Sequence, residues 1–410
     1  MALSRRYRTI GTISVLSVVG IVATFVFQVV AARTLTTSEF AMFAAFLSLV
    51  NIAAVGSGAL QNSVAVNTAR AGQSVADPQS GSLHKGIYLA DGSLVESIAF
   101  GVLGATAALV LALDADNILH QNVGVILAAV VTIPLSFALA RQLGVLQGNE
   151  RSQGVVAWST IATAIRLVLF PILMAGGVDP MFAVTSSVVV SILVTTLGSG
   201  FANQKSVLRP HNRPFAKSTL VVLMSTISFA WMTNADVLFV SSSLSTTDAS
   251  HYAIASVLIK TTLIVPGTLS LFFLARFAKS RDAERQRGEF AIEIISLASI
   301  ALLAAFLYFF GMPLIRTIFG AVYSVSASYL LILSLCFVPW VYLQAILIRA
   351  NSLVSWVTAV PLSLGALAQA ILFNLTLPDL RTMVLSNAVL GIVLCLWVMF
   401  GVRVARRAGR

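Results

Sequence analysis

Five charged side chains are set in predominantly apolar stretches: Asp91 and Glu96 in "ADGSLVESIAFGVLG", Arg166 in "TAIRLVLFP", Asp236 in "TNADVLFVSSS" and Lys260 in "HYAIASVLIKTTLIVPG". A guanidinium such as Arg166 can bond two phosphate oxygens at once, whereas the Lys260 ammonium is a mobile point charge. The three carboxylates can pair with these cations or take up a cation of their own. Any of the five facing lipid tails would be costly, so each must face a partner or a water-filled space.

Depth decides which of them can meet. At about 1.5 Å per residue, Glu96 lies about 15 Å and Arg166 about 20 Å from the inner face, while Asp236 and Lys260 lie about 10 and 15 Å from the outer face. That spacing allows two structural ion pairs, Glu96 with Arg166 and Asp236 with Lys260. It equally allows the cations to line a wet cleft and hold phosphate while Asp91, Glu96 and Asp236 couple or gate a cycle. The readings can coexist, because a pair that opens when an anion arrives is a gate. Arg33, at the outer end of the first apolar run, reads either as an interfacial anchor or as an outer-mouth phosphate contact. Gln28, Asn51, Gln61, Asn62 and Asn67, and further along Ser225, Thr226, Ser228 and Asn234, add amides and hydroxyls suited either to a sugar passage or to bonding between helices.

The elements that position these groups follow from composition. The chain has 410 residues, 58% hydrophobic and 10% charged, against roughly 25% charged in a soluble domain. This implies an all-α membrane protein. Windows of about 19 residues pick out twelve spans, at 11–32, 40–66, 86–112, 122–141, 153–176, 181–202, 218–242, 250–275, 290–311, 325–348, 353–376 and 381–403. The opening run after "MALSRRYR" is too long for a cleaved leader and reads as a retained first helix. Pro134, Pro171, Pro266, Pro339 and Pro361 fall in or near spans and read as kinks, with "VPG" at Pro266 and Gly267 a hinge candidate.

Charge sets orientation. With both termini on the inner, cytoplasmic side of a plasma membrane, all but five of the 26 Lys and Arg fall inside or at the inner face. Arg33, Arg316 and Arg381 lie at the other face and Arg166 and Lys260 within spans. The net charge of +11 is then explained by topology and anionic lipid, with no nucleic-acid partner. Cys336 and Cys395 lie far apart in apolar helices and the four histidines are scattered, which argues against a disulfide framework and a metal site.

A weak repeat divides the chain. "LTTSEFAMFAAFLSLVN" from Leu35 can be laid over "LSTTDASHYAIASVLIK" from Leu244, 209 positions later, and it aligns Asn51 with Lys260. The expectation is a six-helix bundle over 1–205, a cytoplasmic linker over 206–217 and a second bundle over 218–410. The two would be related by pseudo-two-fold symmetry about a V-shaped central cleft.

At these residues, and at "AARTLTTSEFAMFAAFLSLVN" and "NADVLFVSSSLSTTDASHYAIASVL", the sequence resembles the polysaccharide flippase family. That family is the oligosaccharidyl-lipid branch of the multidrug/oligosaccharidyl-lipid/polysaccharide exporter superfamily. Thr36, Ala41 and Ser250 stand where members of the family often carry glycine. The resemblance implies a monomeric flippase, not an enzyme, which moves a polyprenyl-diphosphate-linked oligosaccharide to the outer leaflet by alternating access for cell-envelope polysaccharide synthesis. It implies association with polymerisation machinery, no cofactor, and coupling to H⁺ or Na⁺. On this reading Arg166, Lys260, Arg33, Gln28, Asn51 and Asn234 contact diphosphate or glycan, and Asp91, Glu96 and Asp236 couple or gate. Two alternatives remain open. One is a cation-coupled multidrug exporter of the same superfamily, whose usual first-helix acid is missing here. The other is a polyprenyl-dependent glycosyltransferase suggested by "DAD" at Asp114 to Asp116, in a loop too short for a catalytic domain.

Overall fold

A computed structural model describes residues 2–76, 92–114, 122–149, 151–204, 215, 217–263, 282–353 and 355–408. Asp91, the Pro266–Gly267 hinge candidate and Asp116 lie outside the described residues. Twelve α-helices occur among those described: α1 (Ala2–Thr34), α2 (Thr37–Ala76), α3 (Gly92–Asp114), α4 (Val123–Gly148), α5 (Ser152–Ala175), α6 (Pro180–Gln204), α7 (Lys217–Ser243), α8 (Thr246–Lys260), α9 (Asp282–Ile318), α10 (Ala327–Leu353), α11 (Trp356–Thr376) and α12 (Leu380–Ala408). Short 3₁₀ turns follow α8 (Thr261–Leu263) and precede α10 (Ala321–Ser326). Eleven of the helices are long and apolar enough to cross a membrane, and the protein is a multi-pass membrane protein. Helices are the expected answer, since lipid offers no partner to a backbone N–H or C=O.

The chain divides into two compact units, Met1–Leu220 and Val221–Arg410. In the first, α4 is the hub: α2, α3 and α6 run along it, and α5 joins α6 to α1. In the second, α10 takes that place against α8, α9 and α12, and α11 runs along α12. Ser228 and Ser363 hydroxyls, 3.0 Å apart, tie α7 to α11. Adding six to each helix number thus converts one pattern of neighbours into the other.

The repeat extends to local chemistry. The Thr36 backbone N–H and hydroxyl both donate to Glu39 Oε2 at 2.8 Å, and the Glu39 N–H returns a bond to Thr36 Oγ1 at 3.3 Å. This reciprocal cap starts α2. Six helices on, at the matching positions, the Ser245 hydroxyl donates to Asp248 Oδ2 at 2.7 Å and accepts the Asp248 N–H at 3.2 Å to start α8. Asp379 caps α12 with the acid and the hydroxyl exchanged, its carboxylate accepting from the Arg381 N–H at 3.0 Å and from the Thr382 hydroxyl. The Thr382 hydroxyl bond and the backbone N–H groups hold its carboxyl below the usual carboxylate range.

The α2–α4 contact depends on missing side chains. A Cβ on Gly144 would lie 2.6 Å from the Gln61 carbonyl oxygen, and one on Gly148 would lie 2.7 Å from that of Ala65. Glycines four apart on α4 therefore let the backbone of α2 lie directly against them, the small-residue solution to helix packing in lipid. With that approach α2 becomes the most enclosed span, 72% of its apolar window being buried against 17% for α5.

Candidate functional site

The polar site of the second unit is built by the α7–α8 corner. Helix α7 ends with the Leu244 N–H bonded to the Val240 carbonyl, and α8 begins with the Ala249 N–H bonded to that of Ser245. So tight a connection lays α8 back along α7. Tyr252, Ser256 and Lys260 are spaced four apart and share one face of α8, and all three reach Asp236 on α7. Lys260 Nζ lies 2.7 Å from Asp236 Oδ1. The Tyr252 hydroxyl donates to Oδ2 at 2.9 Å and the Ser256 hydroxyl to the same oxygen at 3.3 Å. The carboxylate therefore has three donors, which is what a charge needs when its side chain is 7% exposed; that of Lys260 is 16% exposed.

The pair lines a small cavity with about 20 Å³ of room for water-molecule centres, lined further by Ile259, Leu333, Cys336, Phe337, Val384 and Asn387. A polar connection runs on from Asn387. Its Oδ1 accepts from Gln369 Nε2 at 2.8 Å, and the same amide donates to the Met232 carbonyl on α7 at 2.8 Å. Gln369 is fully buried and its Oε1 has no hydrogen-bond partner.

The first unit fills the matching positions differently. Counted from the corresponding ends of α1 and α7, at Thr34 and Ser243, Asp236 corresponds to Phe27; Tyr252 corresponds to Phe43, Ser256 to Leu47 and Lys260 to Asn51. Phe27 and Phe43 meet edge to face at 5.9 Å, and Phe27 meets Phe170 of α5 at 6.0 Å. One copy of the corner is thus an aromatic core and the other an ionic network.

The remaining sequence candidates are dispersed. Glu96 and Arg166 do not pair. Glu96 is fully buried on α3 and its Oε1 accepts the Phe215 backbone N–H at 2.7 Å. Phe215 holds a φ of 58° and sets its ring edge-on to Phe100 at 5.7 Å. Arg166 sits on α5 with its Nε buried and lacking a hydrogen-bond partner. Their depths counted along the sequence are similar, but α3 runs along α4 whereas α5 runs along α1 and α6. Arg33 and Asn51 are exposed and Gln28 is half-buried. Asn234 is buried and donates to the Ala230 carbonyl of its own helix at 2.9 Å. Ser225 and Thr226 likewise bond back to Val221 and Val222, so these groups satisfy local backbone instead of standing free. Sequence reasoning missed Tyr252, Ser256, Asn387 and Gln369; the four-residue spacing of Tyr252, Ser256 and Lys260 was the signal available for the first two.

No family model and no curated protein sequence matches this chain. Solved structures do. An outward-facing multidrug resistance MATE family transporter of the MOP superfamily is similar with a TM-score of 0.65 at 14% identity, over 97% of this chain and 96% of that one. The lipid II flippase MurJ in an inward closed conformation is similar with a TM-score of 0.67 at 15% identity, over 95% and 87%. A MOP superfamily transporter from Pyrococcus furiosus, described as having a binding pocket of reversed polarity, gives 0.57 at 13% identity over 97% and 96%. The architecture is the MOP-type fold. The proteins that share it here are transporters.

Proposed function

We propose that this chain is a flippase that moves a polyprenyl-diphosphate-linked oligosaccharide from the cytoplasmic to the outer leaflet by alternating access, for cell-envelope polysaccharide synthesis. The proposal takes both termini as cytoplasmic and 206–217 as the linker between two six-helix halves. A dianion carrying many hydroxyls cannot cross hydrocarbon unaided, because its water must be replaced. The observation that carries the proposal is the Lys260–Asp236 network, which stands where the first unit supports the same helix corner with Phe27 and Phe43. An ion pair that the scaffold does not require points to a task other than packing, and an intramembrane ammonium suits an anionic cargo. In this reading Lys260 and Arg166 contact the diphosphate, with Arg33, Gln28 and Asn51 as further contacts. Asp236 acts as the gate that Lys260 opens. Asn234 is used by its own helix and contributes less.

Likeness to MATE transporters supports a second reading, a cation-coupled multidrug exporter with Asp91 and Glu96 in place of the missing first-helix acid. A cationic drug would be repelled by the Lys260 ammonium, which favours the first. Depletion in cells separates them. The flippase reading expects one lipid-linked glycan to accumulate at the inner leaflet; drug sensitivity with no such accumulation would replace it by the exporter reading.

A further inference from the structure

We infer that an anionic cargo and a proton are bound together at the Lys260–Asp236 pair, each anion taken by Lys260 bringing one proton onto Asp236. This rests on the reading of Lys260 as a phosphate contact. The two partners are held very unequally. Asp236 is fixed by the Tyr252 and Ser256 hydroxyls, both on Oδ2, while Lys260 touches it only through Oδ1. Lys260 is also the last residue of α8 and the more exposed of the two. Its unbranched stem lets the ammonium turn; the carboxylate cannot follow. An arriving phosphate therefore meets the ammonium and draws it away.

Oδ1 then loses its donor in a cavity walled by Ile259, Leu333, Phe337 and Val384. A buried carboxylate without a counter-charge is strongly disfavoured and must be neutralised. A metal cation would have to draw its oxygens from groups already in use: the Tyr252 and Ser256 hydroxyls donate to Oδ2 and Asn387 Oδ1 accepts from Gln369. A proton needs no room. It comes from bulk water and bonds to Oδ1, Lys260 stays charged throughout, and the reverse steps release anion and proton together. The titratable groups facing Asp236 are Lys260 and Tyr252 from α8 and Cys336 from α10, while α12 contributes the neutral Asn387.

The test uses the purified full chain in lipid nanodiscs and farnesyl-diphosphoryl-N-acetylglucosamine, a diphosphate diester with no group of its own titrating near neutral pH. Binding is measured by calorimetry in buffers of different ionisation enthalpy, with and without Na⁺. The expected result is uptake of one proton per ligand in the unaltered protein, independent of Na⁺, and none in Asp236→Asn. The paired variant Asp236→Asn with Lys260→Met should neither take up a proton nor bind the ligand, and its folding is checked by thermal unfolding. Binding without proton uptake, uptake that persists without Asp236, or a requirement for Na⁺ overturns the inference and leaves the flippase reading standing. Failure of the unaltered protein to bind the ligand overturns both.

Discussion

Asp236 of the second repeat occupies the helical position that Phe27 occupies in the first, with Tyr252 standing where Phe43 stands. The same corner is therefore stable with either filling. Removal of either partner alone is therefore expected to weaken the corner more than removal of both.

Asp236→Asn and Lys260→Met are each expected to cost about 3–5 kcal/mol, because each strands the other charge, and the double substitution to recover most of that loss. Thermal unfolding of the purified variants, treated as a double-mutant cycle, measures the coupling. Strictly additive losses would mean that the two groups do not depend on one another.

Tyr252→Phe removes one of the three donors to Asp236 while keeping the ring. A loss of about 1.5–3 kcal/mol is expected, the usual worth of a hydrogen bond to a charged group. The same unfolding assay reads it. A stability gain would show that the hydroxyl carries more desolvation cost than bonding.

How much of this was legible beforehand differs between fold and site. Hydropathy over windows of about 19 residues located the helices, because length and apolarity are all that spanning demands. The caps at Thr36–Glu39 and Ser245–Asp248 explain why their starts fall 209 positions apart. Depth counting found the Asp236–Lys260 pair because a tight turn joins α7 to α8, so equal depth there nearly ensures proximity. It failed for Glu96 and Arg166, whose helices have different neighbours; depth says nothing of azimuth. Asn387 and Gln369 come from α12 and α11, and no local pattern announces a contact made across the bundle.

Gly144→Leu is expected to destabilise the first unit by about 1–3 kcal/mol or more, since the new side chain meets the Gln61 carbonyl and Val64 at the α2–α4 contact. Expression level and the melting temperature of the detergent-solubilised protein measure this. Gly58, on α2, is the control, because a Cβ there would meet nothing within 4 Å. Equal tolerance at both positions would refute the close approach.

The Asp379 cap has a pH signature outside the membrane. Its carboxyl lies below the ordinary range when folded, so its stabilisation of α12 is fully present above the unfolded pKa and is lost as pH falls through the folded one. Amide exchange at Arg381 and Thr382, whose N–H groups bond to the Asp379 carboxylate, should quicken relative to neighbouring amides over that acidic window. Asp379→Asn should abolish the dependence, and an unchanged profile in the variant would assign the effect elsewhere.

Transport separates the ion pair's structural role from its task. Lys260→Ala and Arg166→Ala should each abolish complementation of a depleted strain. For Lys260→Ala, inactivity alone is ambiguous, because the variant also leaves Asp236 without its counter-charge. The stable pair Asp236→Asn with Lys260→Met removes that ambiguity: it restores an uncharged corner, as in the first unit, but leaves no cation for phosphate. Arg166 presents the opposite case, since its Nε has no partner to lose, and Arg166→Ala should leave the melting temperature nearly unchanged. Each variant is scored for membrane insertion, melting temperature and growth. A folded, inserted double variant that still supports growth would show that Lys260 does not hold the cargo, and wild-type growth with both Arg166→Ala and that double variant would reject the diphosphate site altogether.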